Sequence, residues 1–395
     1  MTFAVRPIDP FRTRVPSRPT ESRNSMMITR NQAWNHTAQR TIGVALATVA
    51  VVSLSSCAGE SGSGGDGDEV NLAMELTLTG VKFAQDTRAG MEAFADEDGN
   101  VNLDVQGPPS IDPALAQQQT NNLLTRNPDG FGVSPFPPSL WTRTLQDLTQ
   151  RVPNSLAYAI KPVETQDEAA SSLLKTFVGI NDAAHAREAM TTVIELGGLD
   201  TDTTGDVILG QCVPGDTGVL AERVDAWRDV ASELLPNTNV EVFDSKVEPQ
   251  ANTAAWDQQL RAHPDTVLAI GACDQDGPSI YKVKKEQGYD FAAGALETSP
   301  ETLTGVEDGT LLATSAVNWY LQGYTVARLL TEGARGDALP EGFVDIGATL
   351  ITSDNVAEII KRDSSPEETA AWYAPKIEEL FADLDANTYP LEEAW

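Results

Sequence analysis

Three histidines, three cysteines and a set of carboxylates at strand ends are the groups with which this chain of 395 residues could do chemistry. His36, His185 and His263 lie far apart, and none has a second histidine or a cysteine at ligand spacing, which argues against a zinc site. Gly210-Gln211-Cys212-Val213-Pro214-Gly215 is loosely glycine-rich but lacks the Lys-Ser/Thr of a phosphate loop. Gly59-Glu60-Ser61-Gly62 does not have the spacing of a nucleophile elbow. The expectation is therefore a chain that is not an enzyme and needs no cofactor or metal. The carboxylates point elsewhere. Glu75, Asp216, Asp274, Asp276 and Glu297 stand at expected strand ends. Carboxylates and amides can take paired hydrogen bonds from vicinal hydroxyls, while an aromatic plate covers the apolar face of a sugar ring. An acidic set of this kind suits a polyol, an amino sugar or a cation, and disfavours an unpaired anion.

Positioning those groups falls to a repeating unit. From Val70 onward, short apolar runs alternate with helical stretches, the pattern of a parallel sheet covered by helices on both faces. Strands are expected at 70–76, 101–106, 130–134, 155–160 and 176–180, then at 206–211, 239–244, 266–272, 291–294 and 311–316. One sheet of ten would be unusually large, so two sets of five are expected. The stretch 112–126 reads as a helix with Asp112 as N-cap and Pro113 in its first turn. The stretch 218–235 carries Val219, Arg223, Ala226, Val230 and Leu234 along one face.

The formal charge is -31, although seven arginines fall within residues 1–56. The remainder is thus more acidic still, a surface that repels nucleic acid and anionic membranes. Thr41 to Leu54 is an uncharged apolar run behind Arg40, too short to span a bilayer and shaped like a secretory signal. It exits at Leu54-Ser55-Ser56-Cys57, which resembles the bacterial lipobox, with Cys57 the residue to be lipidated. The Gly/Ser-rich acidic stretch after Cys57 suits a flexible tether. Residues 1–56 are assigned to the signal region, with Met26 or Met27 as alternative starts, and 57–69 to the lipidated cysteine and tether.

The mature part resembles the periplasmic binding protein family of ribose and related sugar receptors. The residues that carry the resemblance are Arg88-Ala89-Gly90-Met91-Glu92-Ala93-Phe94, Asp112-Pro113 before a Gln-rich helix, and Val178-Gly179-Ile180-Asn181-Asp182. Further on stand Ala221 to Trp227, Ala262-His263-Pro264-Asp265, Glu297-Thr298-Ser299-Pro300-Glu301, Val306-Glu307-Asp308-Gly309, and Asn318-Trp319-Tyr320-Leu321-Gln322-Gly323-Tyr324. The fold is shared with lactose-repressor-type regulators, but no helix-turn-helix precedes Val70 and a signal peptide does. The resemblance implies an α/β fold of two Rossmann-like lobes, periplasmic-binding-protein-like type I, joined by a three-crossover hinge. Lobe one would hold 70–180 and 317–345, lobe two 181–316 and 346–365, with 366–395 a C-terminal helical extension.

It also implies an extracytoplasmic solute-binding lipoprotein on the outer face of the cytoplasmic membrane. Its partners would be a sugar or similar small polar ligand and the permease of an ABC importer. The alternative is a receptor that reports ligand occupancy to a membrane signalling protein. Ligand would lie between the lobes at the carboxyl ends of the strands. The family's aromatic pair after strand one is missing, its sugar-clamping arginine aligns with Ala221, and its Asp before the Thr-Pro element aligns with Glu297. The expected ligand-binding residues are Glu75, Thr79, Trp141, Tyr158, Asn181, Asp274, Glu297, Asn318 and Trp319, with Lys82 and Asp216 as further candidates. Asn181 has an alternative role as cap of the helix from Asp182. Cys212 and Cys273 follow strands that neighbour each other in this fold, so they are either a disulfide, permitted outside the cell, or two buried thiols.

Overall fold

The computed structural model describes residues 69–161, 173–215 and 218–394. The signal run, Cys57, the tether and Asp216 lie outside the described residues.

Two sheets form the frame. The first has seven strands in the order β13-β11-β5-β4-β3-β1-β2. These are β1 (Val70–Glu75), β2 (Val101–Gln106), β3 (Gly130–Val133), β4 (Ser155–Tyr158), β5 (Thr176–Gly179), β11 (Gly342–Asp345) and β13 (Thr388–Tyr389). The second has six, in the order β12-β10-β9-β8-β6-β7. Its strands are β6 (Gly205–Gln211), β7 (Thr238–Asp244), β8 (Thr266–Gly271), β9 (Ala292–Leu296), β10 (Ala313–Val317) and β12 (Ala348–Thr352). Pairing is parallel except at β12 and β13, which run antiparallel to β10 and β11. Strands such as β3, β4, β5, β9 and β10 are buried along their whole length, as helices on both faces require.

The chain passes from the first sheet to the second after β5, returns after β10, and leaves again between β11 and β12. It then makes a fourth passage that the three-crossover expectation lacks. Helix Pro366–Ala382 leads back to β13, which pairs with β11 and widens the first sheet. The C-terminal segment is thus more than helical. Two paired residues are too few to leave a periodic signal in sequence.

Helix starts follow local chemistry. Asp112 accepts from the Leu115 N–H at 3.0 Å, with Pro113 in the first turn. Asn181 caps helix Asp182–Leu196 by accepting from the Ala184 N–H at 2.8 Å, and Ser299 caps Pro300–Glu307 by accepting from the Thr302 N–H at 3.0 Å. Helices Lys82–Asp98 and Trp319–Ala334 meet backbone to backbone. A Cβ at Gly90 would strike the Tyr320 carbonyl, and one at Gly323 the Thr87 carbonyl. That close seam sets Phe83 against Trp319, with ring centroids 5.0 Å apart at the mouth of the space between the sheets.

Candidate functional site

The carboxyl ends of β1, β3 and β4 face those of β6, β8 and β9 across a cavity of about 270 Å³. This is near the low end of the roughly 300–1,000 Å³ usual for small-molecule sites. The first sheet's loops and helix starts contribute Leu78, Val81, Phe83, Ile111 and Ile160, and those of the second contribute Val213, Val219, Leu220 and Val247. Cys212 and Cys273 form a disulfide on the second wall, with Cα atoms 6.2 Å apart. The bond joins the loops that leave β6 and β8, which are adjacent strands.

The polar part of the cavity is concentrated around Arg223. Its Nε donates to Asp182 Oδ1 at 2.8 Å and its Nη1 to the Ala272 carbonyl at 3.0 Å, while Nη2 lies 3.7 Å from Glu297 Oε1. Glu297 is 4% exposed, and its Oε2 accepts from Trp319 Nε1 at 2.6 Å. Its Oε1 is buried without a hydrogen-bond partner. Burial lifts the Glu297 carboxyl above the ordinary carboxylate range, with Arg223 opposing the shift and Asp274 adding to it. Burial likewise raises Asp274, its own backbone N–H and Arg223 drawing it back down. Glu297 has φ 69° and Ala159, on the opposite wall, φ 59°. Two non-glycine residues held in the left-handed region, one on each side of the cavity, are the kind of backbone strain that gathers at binding sites.

Of the residues singled out by sequence, Asp274, Glu297 and Trp319 line the cavity together. The other described candidates for ligand contact do not line it. Glu75 is wholly buried under the first sheet, where its Oε2 accepts from the Ser134 N–H at 3.0 Å. Tyr158, also sealed, donates its hydroxyl to the Glu75 carbonyl at 2.5 Å. Trp141 is a core residue rather than a ring plate: it has no exposure, and its Nε1 donates to the Phe136 carbonyl at 3.1 Å. Thr79 donates to the Pro108 carbonyl at 3.2 Å, holding the first loop. Asn318 knits two crossings, donating to the Ile346 carbonyl at 2.9 Å and accepting from Thr349 Oγ1 at 2.9 Å. Asn181 is the helix cap already described, and its Nδ2 donates to the Glu393 carbonyl at 3.0 Å. Lys82 pairs with Asp86 and with Asp363. Asp276 turns into the second lobe, accepting from Asn252 and Trp256 at 2.8 Å each and from the Cys273 N–H at 2.9 Å. In each case a nearby donor or acceptor inside the fold claims the side chain, because burying it unpaired would be costly.

Sequence reasoning missed Arg223, Asp182 and Phe83. Arg223 stands two residues beyond Ala221, the position that family likeness aligned with a sugar-clamping arginine. Its signal was there to be read: an arginine on the apolar face of helix Val219–Leu234 needs a buried partner. His185 is buried, with Nδ1 3.2 Å from Ser315 Oγ, and burial pushes its pKa down to about 3, so that the ring is neutral near pH 7. Among the described residues no group of His, Cys, Asp and Glu could hold a metal ion.

The sequence pattern of the periplasmic binding protein domain matches residues 74–338. No curated protein matches the chain in sequence. Among solved structures, an ABC transporter solute-binding protein from Burkholderia graminis in complex with D-arabinose is 22% identical. It covers 74% of this chain and 98% of its own, with a TM-score of 0.63. A second, from Agrobacterium vitis with bound D-fucose, is 18% identical over 76% of this chain and 98% of its own, at TM-score 0.65. A third, from Mycobacterium smegmatis with bound glycerol, is 20% identical over 74% and 96%, at TM-score 0.63.

Proposed function

The chain belongs to the periplasmic binding protein domain family, and from that premise we propose that it is an exported receptor that captures a sugar or similar small polar ligand between two lobes and delivers it to an ABC importer. Its fold is the two-lobed type I form. The observation that carries the reading is the cavity between the sheets, where Arg223, Asp274 and Glu297 of one lobe meet Trp319 across the hinge. Solved relatives that are named as transporter proteins and hold D-arabinose, D-fucose or glycerol support import over sensing. The sheet memberships support lobe one at 70–180 with 317–345 and lobe two at 181–316 with 346–365. The receptor binds rather than transforms its ligand, and needs no cofactor. The apolar run and Leu54-Ser55-Ser56-Cys57 support a lipid anchor through Cys57 at the outer face of the cytoplasmic membrane.

A thermal-shift screen of sugars and polyols on the full chain tests the reading. A ligand at 100 times its Kd adds about 2.7 kcal/mol of stability, and Glu297→Ala weakens its binding about tenfold or more, since an unpaired group in a desolvated site costs ~1–3 kcal/mol. If no sugar or polyol raises the midpoint, the receptor assignment fails. The anchor is tested apart from it: Cys57→Ala releases exported chain into the medium, and an unlipidated mature protein that starts elsewhere counts against it.

A further inference from the structure

The cavity is poorly furnished for a fully hydroxylated neutral sugar. Phe83, Ile111, Phe136, Ile160, Val213 and Leu220 present carbon to it. The Thr77 hydroxyl on its wall is already engaged with the Ser134 hydroxyl at 2.6 Å. Hydroxyls set against such walls would lose their water without replacement. The polar end carries an unbalanced charge. Asp182, Asp274 and Glu297 all act on the single guanidinium of Arg223. Trp319 and Tyr373, the other titratable or polar groups that bear on Glu297, are neutral. Arg223 is committed to Asp182 and the Ala272 carbonyl and offers an anionic ligand little. Independently, Glu297 Oε1 is buried on the cavity wall and lacks a donor.

We propose that the cavity selects a monosaccharide-sized ligand that carries a protonated amine, seated between Glu297 and Asp274, with a sparsely hydroxylated face against the apolar walls. This rests on the cavity being the ligand site of a solute receptor. The amine supplies the donor that Glu297 Oε1 lacks and the positive charge that Asp182, Asp274 and an ionised Glu297 would otherwise leave unmatched around one arginine. Because burial favours the protonated form of Glu297 in the empty cavity, binding has a proton balance. The carboxylic acid and the ammonium become a carboxylate–ammonium pair, and the acid's proton passes to solvent.

The test is calorimetric titration of the full chain near pH 7 with D-glucosamine, D-galactosamine and an amino-dideoxyhexose methyl glycoside, each against its neutral parent and its N-acetyl form. Phenethylamine is included as an amine without a sugar. Titrations in two buffers of different ionisation enthalpy count the protons released. The expected result is at least a tenfold preference for the amine over both neutral forms in one of the series, with proton release that Glu297→Gln abolishes. Asp274→Asn reduces the preference through the second carboxylate, and thermal midpoints confirm that both variants fold. Neutral sugars that bind as tightly as their amines overturn the proposal while leaving the sugar receptor intact. Phenethylamine binding with no sugar of any kind upholds the cation site and overturns the sugar reading. No binding in any arm overturns both.

Discussion

Glu75 and Glu297 are the same residue type at comparable places, each at the carboxyl end of a parallel strand of its sheet, each buried, and each with one oxygen that accepts no hydrogen bond. They differ in what lies beyond them. Glu75 is sealed beneath the first sheet with Ser134 and Tyr158, and burial pushes its carboxyl up to about 8, the Ser134 N–H opposing. Glu297 opens onto the cavity, with Arg223 and Asp274 beside it and the Trp319 indole holding its other oxygen. The tryptophans repeat the contrast: Trp141 is enclosed in the first lobe, and Trp319 bridges the lobes at the cavity wall. A strand-end acid or an aromatic faces the cavity only where its own lobe leaves it open to the other, as Glu297 is open to Trp319.

The largest effect expected from breaking this contrast is at Arg223. Arg223→Ala strips the cavity-side carboxylates of their counter-charge, and removing one member of a buried ionic group costs about 3–5 kcal/mol. Urea unfolding near pH 7 measures it. A loss below about 1 kcal/mol would show that the arginine does not hold Asp182, Asp274 and Glu297 in place.

Next in size is the pH dependence carried by Glu75. Its folded value of about 8 exceeds the ordinary 4.5, so between these limits the folded chain keeps a proton that the unfolded chain has lost. Stability therefore falls as pH rises across that window, by up to about 1.4 kcal/mol per pH unit. Glu75→Gln has no such proton to lose. Its stability relative to the parent is smallest near pH 4.5 and grows toward pH 8, with ligand affinity unchanged. Parallel stability profiles for the two proteins, or a change in affinity, would erase the distinction between a sealed and a cavity-facing glutamate.

The smallest effect sharpens the pair of tryptophans. Trp141→Phe removes a buried N–H donor to the Phe136 carbonyl and lowers stability by ~1–3 kcal/mol without touching ligand affinity. Trp319→Phe removes the donor to Glu297 and changes affinity as well. Calorimetry beside thermal unfolding separates the two, and an affinity change in Trp141→Phe would return that residue to the site.

The sequence by itself determined the alternation of strands and helices, the helix starts at Asp112 and Asn181, and the division into two sheets, because periodicity and capping are local and act within a few residues. Ten of the thirteen strands among the described residues were legible this way. The missing β11, β12 and β13 lie near crossings, where pairing to a distant strand supplies what local pattern does not. Family likeness added Asp274, Glu297 and Trp319, but it also nominated Glu75, Tyr158, Trp141 and Asn318, which the fold uses internally. Only the tertiary structure decided between these groups. Side chains alternate faces along a strand, so a strand-end residue meets either its own lobe's helices or the opposing lobe. Which of these it meets is decided in three dimensions: Arg223 reaches Glu297 from a distant helix of the same lobe, and Trp319 reaches it across the hinge.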